Sequence, residues 1–106
     1  MVSRFEVYLV NLDAEITDDP KNTRPSVVIS PNEVNRNLDT AIIAPLATTK
    51  TKYPTRVPVE FLNGSRHVIL DQIRAVDQAR LVKKIGEIDE ASRPSIVERL
   101  QELFAE

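Results

Sequence analysis

Cysteine is absent from the 106 residues, tryptophan is absent too, histidine occurs once (His67) and glycine only twice. Without cysteine there are no disulfides, no thiol nucleophile and no thiolate metal site, which fits a reducing, cytoplasmic setting. The single histidine argues against a zinc centre, and no metal or cofactor is expected. No run of about 18 apolar residues occurs, so no membrane-spanning helix is expected, and the N-terminus lacks a signal-peptide pattern. There are no internal repeats and no low-complexity segments. A single domain over residues 1–106 is expected, long enough for a modest core.

Apolar residues make up 42% of the chain, an ordinary share for a globular protein, and the net charge is −2. That small sum hides a division. Residues 1–47 carry four basic and seven acidic groups (−3), residues 48–84 eight and three (+5), and residues 85–106 two and six (−4). A basic middle between acidic ends can bind a polyanion locally, and it is equally compatible with solvated surface charge.

The stretch Thr23-Arg24-Pro25-Ser26-Val27-Val28-Ile29-Ser30 organises the reading. Val27, Val28 and Ile29 branch at Cβ and favour extended backbone. Pro25 fixes its own φ and keeps Arg24 out of the helical region. Arg24 is thus held extended at the mouth of a core strand. Its planar fork of donors suits phosphate. A salt bridge to Asp18 or Asp19 is the competing reading.

Glu6–Leu12 is apolar on both alternations, as in a strand covered on both faces. Asp13–Asn22 is a polar loop whose four carboxylates (Asp13, Glu15, Asp18, Asp19) lack the spacing and glycine of a calcium loop. Glu33–Leu38 suits one helical turn. Thr40–Leu46 is a further buried strand in which Pro45 implies an edge or bulge. Arg56–Phe61 alternates, with Val57, Val59 and Phe61 inward. Asn63-Gly64-Ser65 signals a hairpin returning through His67–Leu70. Val76–Val82 is ambiguous, with Asp77 as a cap for a short helical turn. Lys83–Ile88 fits a last strand with Ile85 and Ile88 on opposite faces. A terminal helix from Asp89 or Ser92 to Phe104 takes Pro94 in its first turn. It aligns Ile96, Val97, Leu100, Leu103 and Phe104 on one stripe. Short strands followed by one helix predict a mainly β (α+β) fold, a small β-barrel with an appended helix.

Six pieces in this order and spacing resemble the MazF/PemK (Kid-like) family of toxin endoribonucleases from type II toxin–antitoxin systems. They are Glu6–Asp13, Thr23–Pro31, Ala44-Pro45-Leu46, Tyr53-Pro54-Thr55, Asp71-Gln72-Ile73-Arg74, and Arg80-Leu81 with the terminal helix. The resemblance implies an SH3-like barrel, a homodimer, and sequence-specific, metal-independent cleavage of single-stranded RNA. It also implies a cognate MazE-like antitoxin with an acidic C-terminal tail. In such cleavage the ribose 2′-hydroxyl is the nucleophile, so the protein supplies a base, an acid and positive charge at phosphorus. Arg24 matches the family's catalytic arginine. Asp71 matches a position assigned as base in some members, against a strand-end carboxylate paired to Arg74 or capping a backbone group.

The family's catalytic threonine aligns with Ala47, and Thr48 is the neighbouring hydroxyl one residue on. Loss of that donor is worth roughly 1–3 kcal/mol, or one to two decades of rate. The loop after the first strand also departs from the family: Thr17 replaces a glycine, Asp18 stands where some members have a histidine, and Asp19 replaces a glutamate. Asp19, Lys50, Lys52, Arg56, Gln72 and Arg74 are expected RNA contacts, with Tyr53 stacking on a base or packing on the barrel. Phe5 shields the barrel end or stacks on a base. His67, on a strand after a hairpin, has no counterpart in the family pattern. Two alternatives share the fold: a CcdB-type gyrase poison that cuts nothing, and a weakened module that binds RNA or antitoxin.

Overall fold

The computed structural model describes residues 2–16, 21–48 and 53–105. Seven strands occur among them: β1 Glu6–Asn11, β2 Thr23–Val28, β3 Thr40–Ala47, β4 Arg56–Phe61, β5 Gly64–Ile69, β6 Arg74–Asp77 and β7 Leu81–Glu87. Helix α1 spans Asn32–Asn37 and helix α2 Arg93–Phe104. Short 3₁₀ turns occupy Leu70–Gln72, Gln78–Arg80 and Glu90–Ser92. Strand order along the sheet is β4-β5-β3-β2-β1-β7, with β6 branching onto β3. The sheet curls into a half-barrel, which bears out the small β-barrel with a C-terminal helix.

β2 and β3 carry apolar residues on both alternations because both faces of the sheet are covered. Val27 pairs with Ala44 and both enter one cluster, with Leu46, Val57, Val68, Leu70, Ile88 and Ile96. Val28 pairs with Ile43 and both enter the other, with Val10, Ala41, Val76 and Leu81. Each side chain sits opposite its cross-strand partner on the same face, so the register alone assigns the two clusters.

β3 changes partner along its length. Beyond its shared edge with β2, it pairs with β6 through Thr40–Ile43 and with β5 through Leu46 and Ala47. Ala44 and Pro45 fall in the gap. The Ile42 backbone turns toward the β2 side, where its carbonyl accepts from the Ile29 and Ser30 N–H groups. By alternation Pro45 turns the other way, toward the gap, where its missing N–H costs no ladder bond. Pro45 is therefore neither at an outer edge nor at a bulge, as the sequence suggests, but at an interior parting.

Other local expectations shift for identifiable reasons. The hairpin turn is Leu62–Asn63, both at positive φ (50° and 58°), and Gly64 already opens β5 opposite Phe61. A two-residue turn with both φ positive matches the twist of the strands, so the turn lies one residue before the Asn-Gly-Ser signal centres it. Ile85 and Ile88 meet the same cluster rather than opposite faces. Between Val7↔Gly86 and Tyr8↔Lys84 the β7 strand carries one extra residue, Ile85, and that bulge resets the alternation. Phe104 ends α2 and is 70% exposed, so the apolar stripe is covered only as far as Leu103. The 3₁₀ turn after Asp77 forms, but Asp77 gives no side-chain cap. Instead the Gln78 amide donates to the carbonyls of Asn35 and Leu38 at 2.8 and 3.0 Å.

Phe5 adopts φ 71° and packs on the first cluster, with the Arg4 and Arg93 guanidinium carbons each 5.2 Å from its ring centroid. It closes that end of the barrel. Nearby, Gly86 (φ 159°) runs so close to Phe61 that a Cβ there would lie 2.8 Å from two ring carbons. Phe61 is itself buried, so the ring has little room to yield. Gly86→Ala is expected to destabilise the fold by about 1–3 kcal/mol in denaturant unfolding, the usual range for overpacking. An unchanged midpoint would show that the ring moves aside freely.

Candidate functional site

Where β3 parts from its second ladder, a cleft of about 280 Å³ opens at the surface. Arg24 and Ser26 of β2, Pro45 and Ala47 of β3, Gln72 of the Leu70–Gln72 turn and Arg74 of β6 line it, with Leu12 and Ile43 adding apolar wall. None of its described lining residues is acidic. Two guanidinium groups therefore face one depression without a carboxylate among the lining groups.

The register explains the convergence. Ser26 opposes Pro45, Ile43 opposes Arg74, Ala47 opposes His67 and His67 opposes Pro58. Cross-strand partners share a face, as do residues two apart on one strand. One face thus gathers Arg24 from β2, Arg74 from β6, His67 from β5 and Arg56 from β4 around the end of β3. Two cations of the basic middle, Arg56 and Arg74, thus join Arg24 on one surface, whereas Arg66 falls on the opposite alternation and Lys84 pairs with Glu6. Ser26 was not singled out from the sequence, although its place two residues after Arg24 assigns it to the same face.

Arg24 is exposed, and its Nη1 donates to the Thr23 carbonyl at 2.9 Å. Among the described residues it forms no ion pair. The competing salt bridge to Asp18 or Asp19 involves residues outside those described, as do Asp19, Lys50 and Lys52 as ligand contacts and the Thr17 replacement.

Ala47, and not Thr48, lines the cleft. β3 keeps its alternation through Ala47, which is still paired to His67, while Thr48 follows the strand end, exposed and outside the lining. The Thr48 hydroxyl thus stands just beyond the lining.

Asp71 adjoins the cleft through Gln72 but does not line it. Its partner is not Arg74, as the sequence reading allowed. Oδ1 accepts from the Thr55 hydroxyl at 3.0 Å and lies 3.6 Å from Arg56 Nε. Arg74 is carried away on β6, whereas Arg56 opens β4 beside the turn. Partial burial pushes the Asp71 carboxyl up, but the Thr55 hydroxyl, its own backbone N–H and Arg56 together hold it below the usual carboxylate value. It is ionised at neutral pH. Arg56 in turn lies over the Tyr53 ring, 4.8 Å from its centroid. Tyr53 is 54% exposed, so it stands at the surface rather than packing into the barrel.

A model of the family described as PemK-like, MazF-like toxin of type II toxin-antitoxin system matches residues 3–104. The chain belongs to this family. It is 31% identical to the endoribonuclease EndoA of Bacillus subtilis (strain 168) over 95% of this chain and 92% of that one. It is also 31% identical to the endoribonuclease MazF of Staphylococcus epidermidis, over 86% of this chain and 81% of that one. Among solved structures, an endoribonuclease in complex with its cognate antitoxin from Mycobacterial species superposes with a TM-score of 0.81 at 23% identity. That match covers 96% of this chain and 93% of that one. A MazE-MazF structure from Deinococcus radiodurans gives 0.78 at 20% identity, covering 98% and 95%. These likenesses establish the MazF-like fold. No described helix is long and apolar enough to cross a membrane.

The Asp71 contacts set a pH dependence for this MazF-like domain. A folded-state value below the unfolded one contributes stability above the unfolded value, about pH 4, and that stability is lost as pH falls through the folded value. Asp71→Asn should therefore flatten the acid limb of the unfolding curve below about pH 4. Because the carboxyl is 37% exposed, the cost at neutral pH should stay within about 1 kcal/mol. An unaltered acid limb would show that the pair contributes nothing in solution.

Proposed function

We propose that this chain is the endoribonuclease toxin of a type II toxin–antitoxin pair, cleaving single-stranded RNA in the cleft between Arg24 and Arg74 without a metal. The observation that carries this reading is an exposed arginine at the lip of a cleft whose described lining includes a second arginine and no acid. The 2′-oxygen attacks the adjacent phosphorus, the bond to the 5′-oxygen breaks, and a 2′,3′-cyclic phosphate and a 5′-hydroxyl result. A base takes the 2′-proton and an acid protonates the departing 5′-oxygen.

Arg24 supplies donors to the equatorial oxygens as negative charge builds on phosphorus, since its fork is held by backbone that Pro25 keeps extended. Arg74 and Gln72 hold the flanking phosphate and sugar. Arg56 extends the cationic track, joined by Lys50 and Lys52. Asp19 contacts the RNA from the loop before β2. Asp71 is the proposed base for a 2′-hydroxyl brought to the Gln72 edge of the cleft. Its low proton affinity keeps it ionised and ready to accept, at the cost of basic strength. Thr48 is the proposed donor that replaces the hydroxyl lost at Ala47.

The proposed partners are single-stranded RNA, a second copy of the chain, and an antitoxin in the cytoplasm. A tail with carboxylates and apolar side chains complements the arginines and the Leu12–Ile43 wall of the same cleft. The gyrase-poison reading is not favoured, because the relatives with most identity reported above are endoribonucleases. A non-cleaving module rests on Ala47 and Thr17 alone, both departures from the family pattern.

Purified protein should cut a long single-stranded RNA into discrete fragments in EDTA, and Arg24→Ala should slow this by roughly 100-fold or more. Intact RNA with the wild-type protein, or undiminished cutting by the variant, rejects the proposal. Ala47→Thr and Thr48→Ala locate the missing hydroxyl. A rate increase of about tenfold for Ala47→Thr with no change for Thr48→Ala means that the cleft lacks the donor. A tenfold loss for Thr48→Ala assigns it to Thr48.

A further inference from the structure

A second pocket of about 310 Å³ lies on the same face as the cleft, walled by Tyr53, Arg56, Pro58 and His67. Its composition is that of a stacking site: an exposed phenol ring covered on one side by a guanidinium, a proline ring, and an imidazole. Its position is fixed by pairing. His67 is the cross-strand neighbour of Ala47, which lines the cleft, so the two depressions are one strand apart, roughly 5 Å.

The state of His67 is unusual for a structural histidine. Nδ1 is buried and has no hydrogen-bond partner among the described residues. Nε2 has none either and is not among the buried atoms. No described protein group therefore fixes the tautomer. An orphaned buried N–H is costlier than an orphaned lone pair, which favours the bare nitrogen at Nδ1 and the proton on Nε2. The accessible nitrogen is then a donor awaiting an acceptor.

We propose that this pocket binds one nucleobase of single-stranded RNA, next to the phosphate held at Arg24, and that the His67 Nε2–H donates to an acceptor on the edge of that base. The inference rests on the RNA-cleaving reading above and deepens it. Tyr53 and Arg56 supply stacking that tolerates any base, and the His67 Nε2–H supplies a hydrogen bond that fixes how the base sits. His67 is a base-positioning residue, distinct from the group that stabilises the reacting phosphorus.

His67 is the only histidine in the chain, so its ring protons are unambiguous in an NMR spectrum. The test titrates wild-type protein with 2′-O-methylated oligouridine and oligoadenosine, which bind without being cut, while fluorescence anisotropy follows total binding. The His67 signals should shift and saturate in step with the anisotropy. Tyr53→Ala should weaken the binding of both oligonucleotides by about tenfold, and His67→Ala should weaken it by up to about tenfold. Oligonucleotide binding that leaves the His67 signals unmoved overturns the pocket and leaves the RNA-cleaving reading standing. No binding of either oligonucleotide overturns both. Signals that move only with an acidic peptide assign the pocket to a protein partner and overturn the proposal.

Discussion

The missing N–H of Pro45 is the constraint on which the functional surface depends. A strand at the centre of a sheet normally pairs without a break on both sides, and here β3 runs unbroken against β2 only through Ile43–Pro45. On its other side the ladder to β6 stops at Ile43 and the ladder to β5 starts at Leu46. A proline at that step can be accommodated because its N–H is the one the parting strands leave without a partner. The divergence of β5 from β6 then creates the depression, and the Leu70–Gln72 turn that joins them brings Gln72 to its rim. An alanine at position 45 would restore a donor where no strand accepts it, so the cleft and the proline belong together.

The second requirement is that the face around this parting be basic in a protein whose net charge is −2. Strand alternation meets it. Arg24, Arg74, His67 and Arg56 come from four strands and share a face, while Glu60 of β4 lies toward the hairpin, hydrogen-bonded by the Ser65 hydroxyl at 3.1 Å. Glu6 is spent elsewhere, buried at the β1–β7 edge with Lys84 Nζ at 2.7 Å and the Tyr8 hydroxyl at 3.1 Å. No described carboxylate lines the cleft, and the sum of charges says little about the field a bound polyanion would meet.

How much of this was legible in the chain can be judged residue by residue. The Thr23–Ser30 stretch announced both a strand buried on two faces and an arginine at its mouth, because Cβ branching and proline act locally. The alternation in Arg56–Phe61 was legible for the same reason. What escaped were consequences of pairing. Nothing in Val82–Ile88 marks Ile85 as the extra residue of a bulge, since a bulge is defined against the partner strand β1. Nor does Asp71-Gln72-Ile73-Arg74 disclose that the aspartate turns to Arg56, fifteen residues back, while the arginine leaves on β6. The Leu62–Asn63 turn was misplaced by one residue because Leu62 adopts a backbone conformation that its side chain disfavours, imposed by strand register. That Ala47 lines the cleft while Thr48 stands just beyond it depends on where β3 ends, and only the pairing with His67 shows that.

The two arginines that flank this surface show how one side chain serves two purposes. Arg56 is held by Tyr53 beneath it and by Asp71 beside it, and Asp71 is in turn fixed by Thr55. Such a guanidinium has little rotational entropy left to lose, so it suits a wall against which a flat base can rest. Arg24 is anchored by backbone, through Pro25 and a single bond to the Thr23 carbonyl, and has no described carboxylate to neutralise it. A charge stabilises a transition state only through interactions that strengthen as the reaction proceeds, and a guanidinium already committed to a carboxylate would have to surrender that bond first. The separation of the two roles, one cation pinned for shape and the other left free for charge, follows from which strand end each occupies: Arg56 faces the turn that carries Asp71, and Arg24 faces the gap beside Pro45.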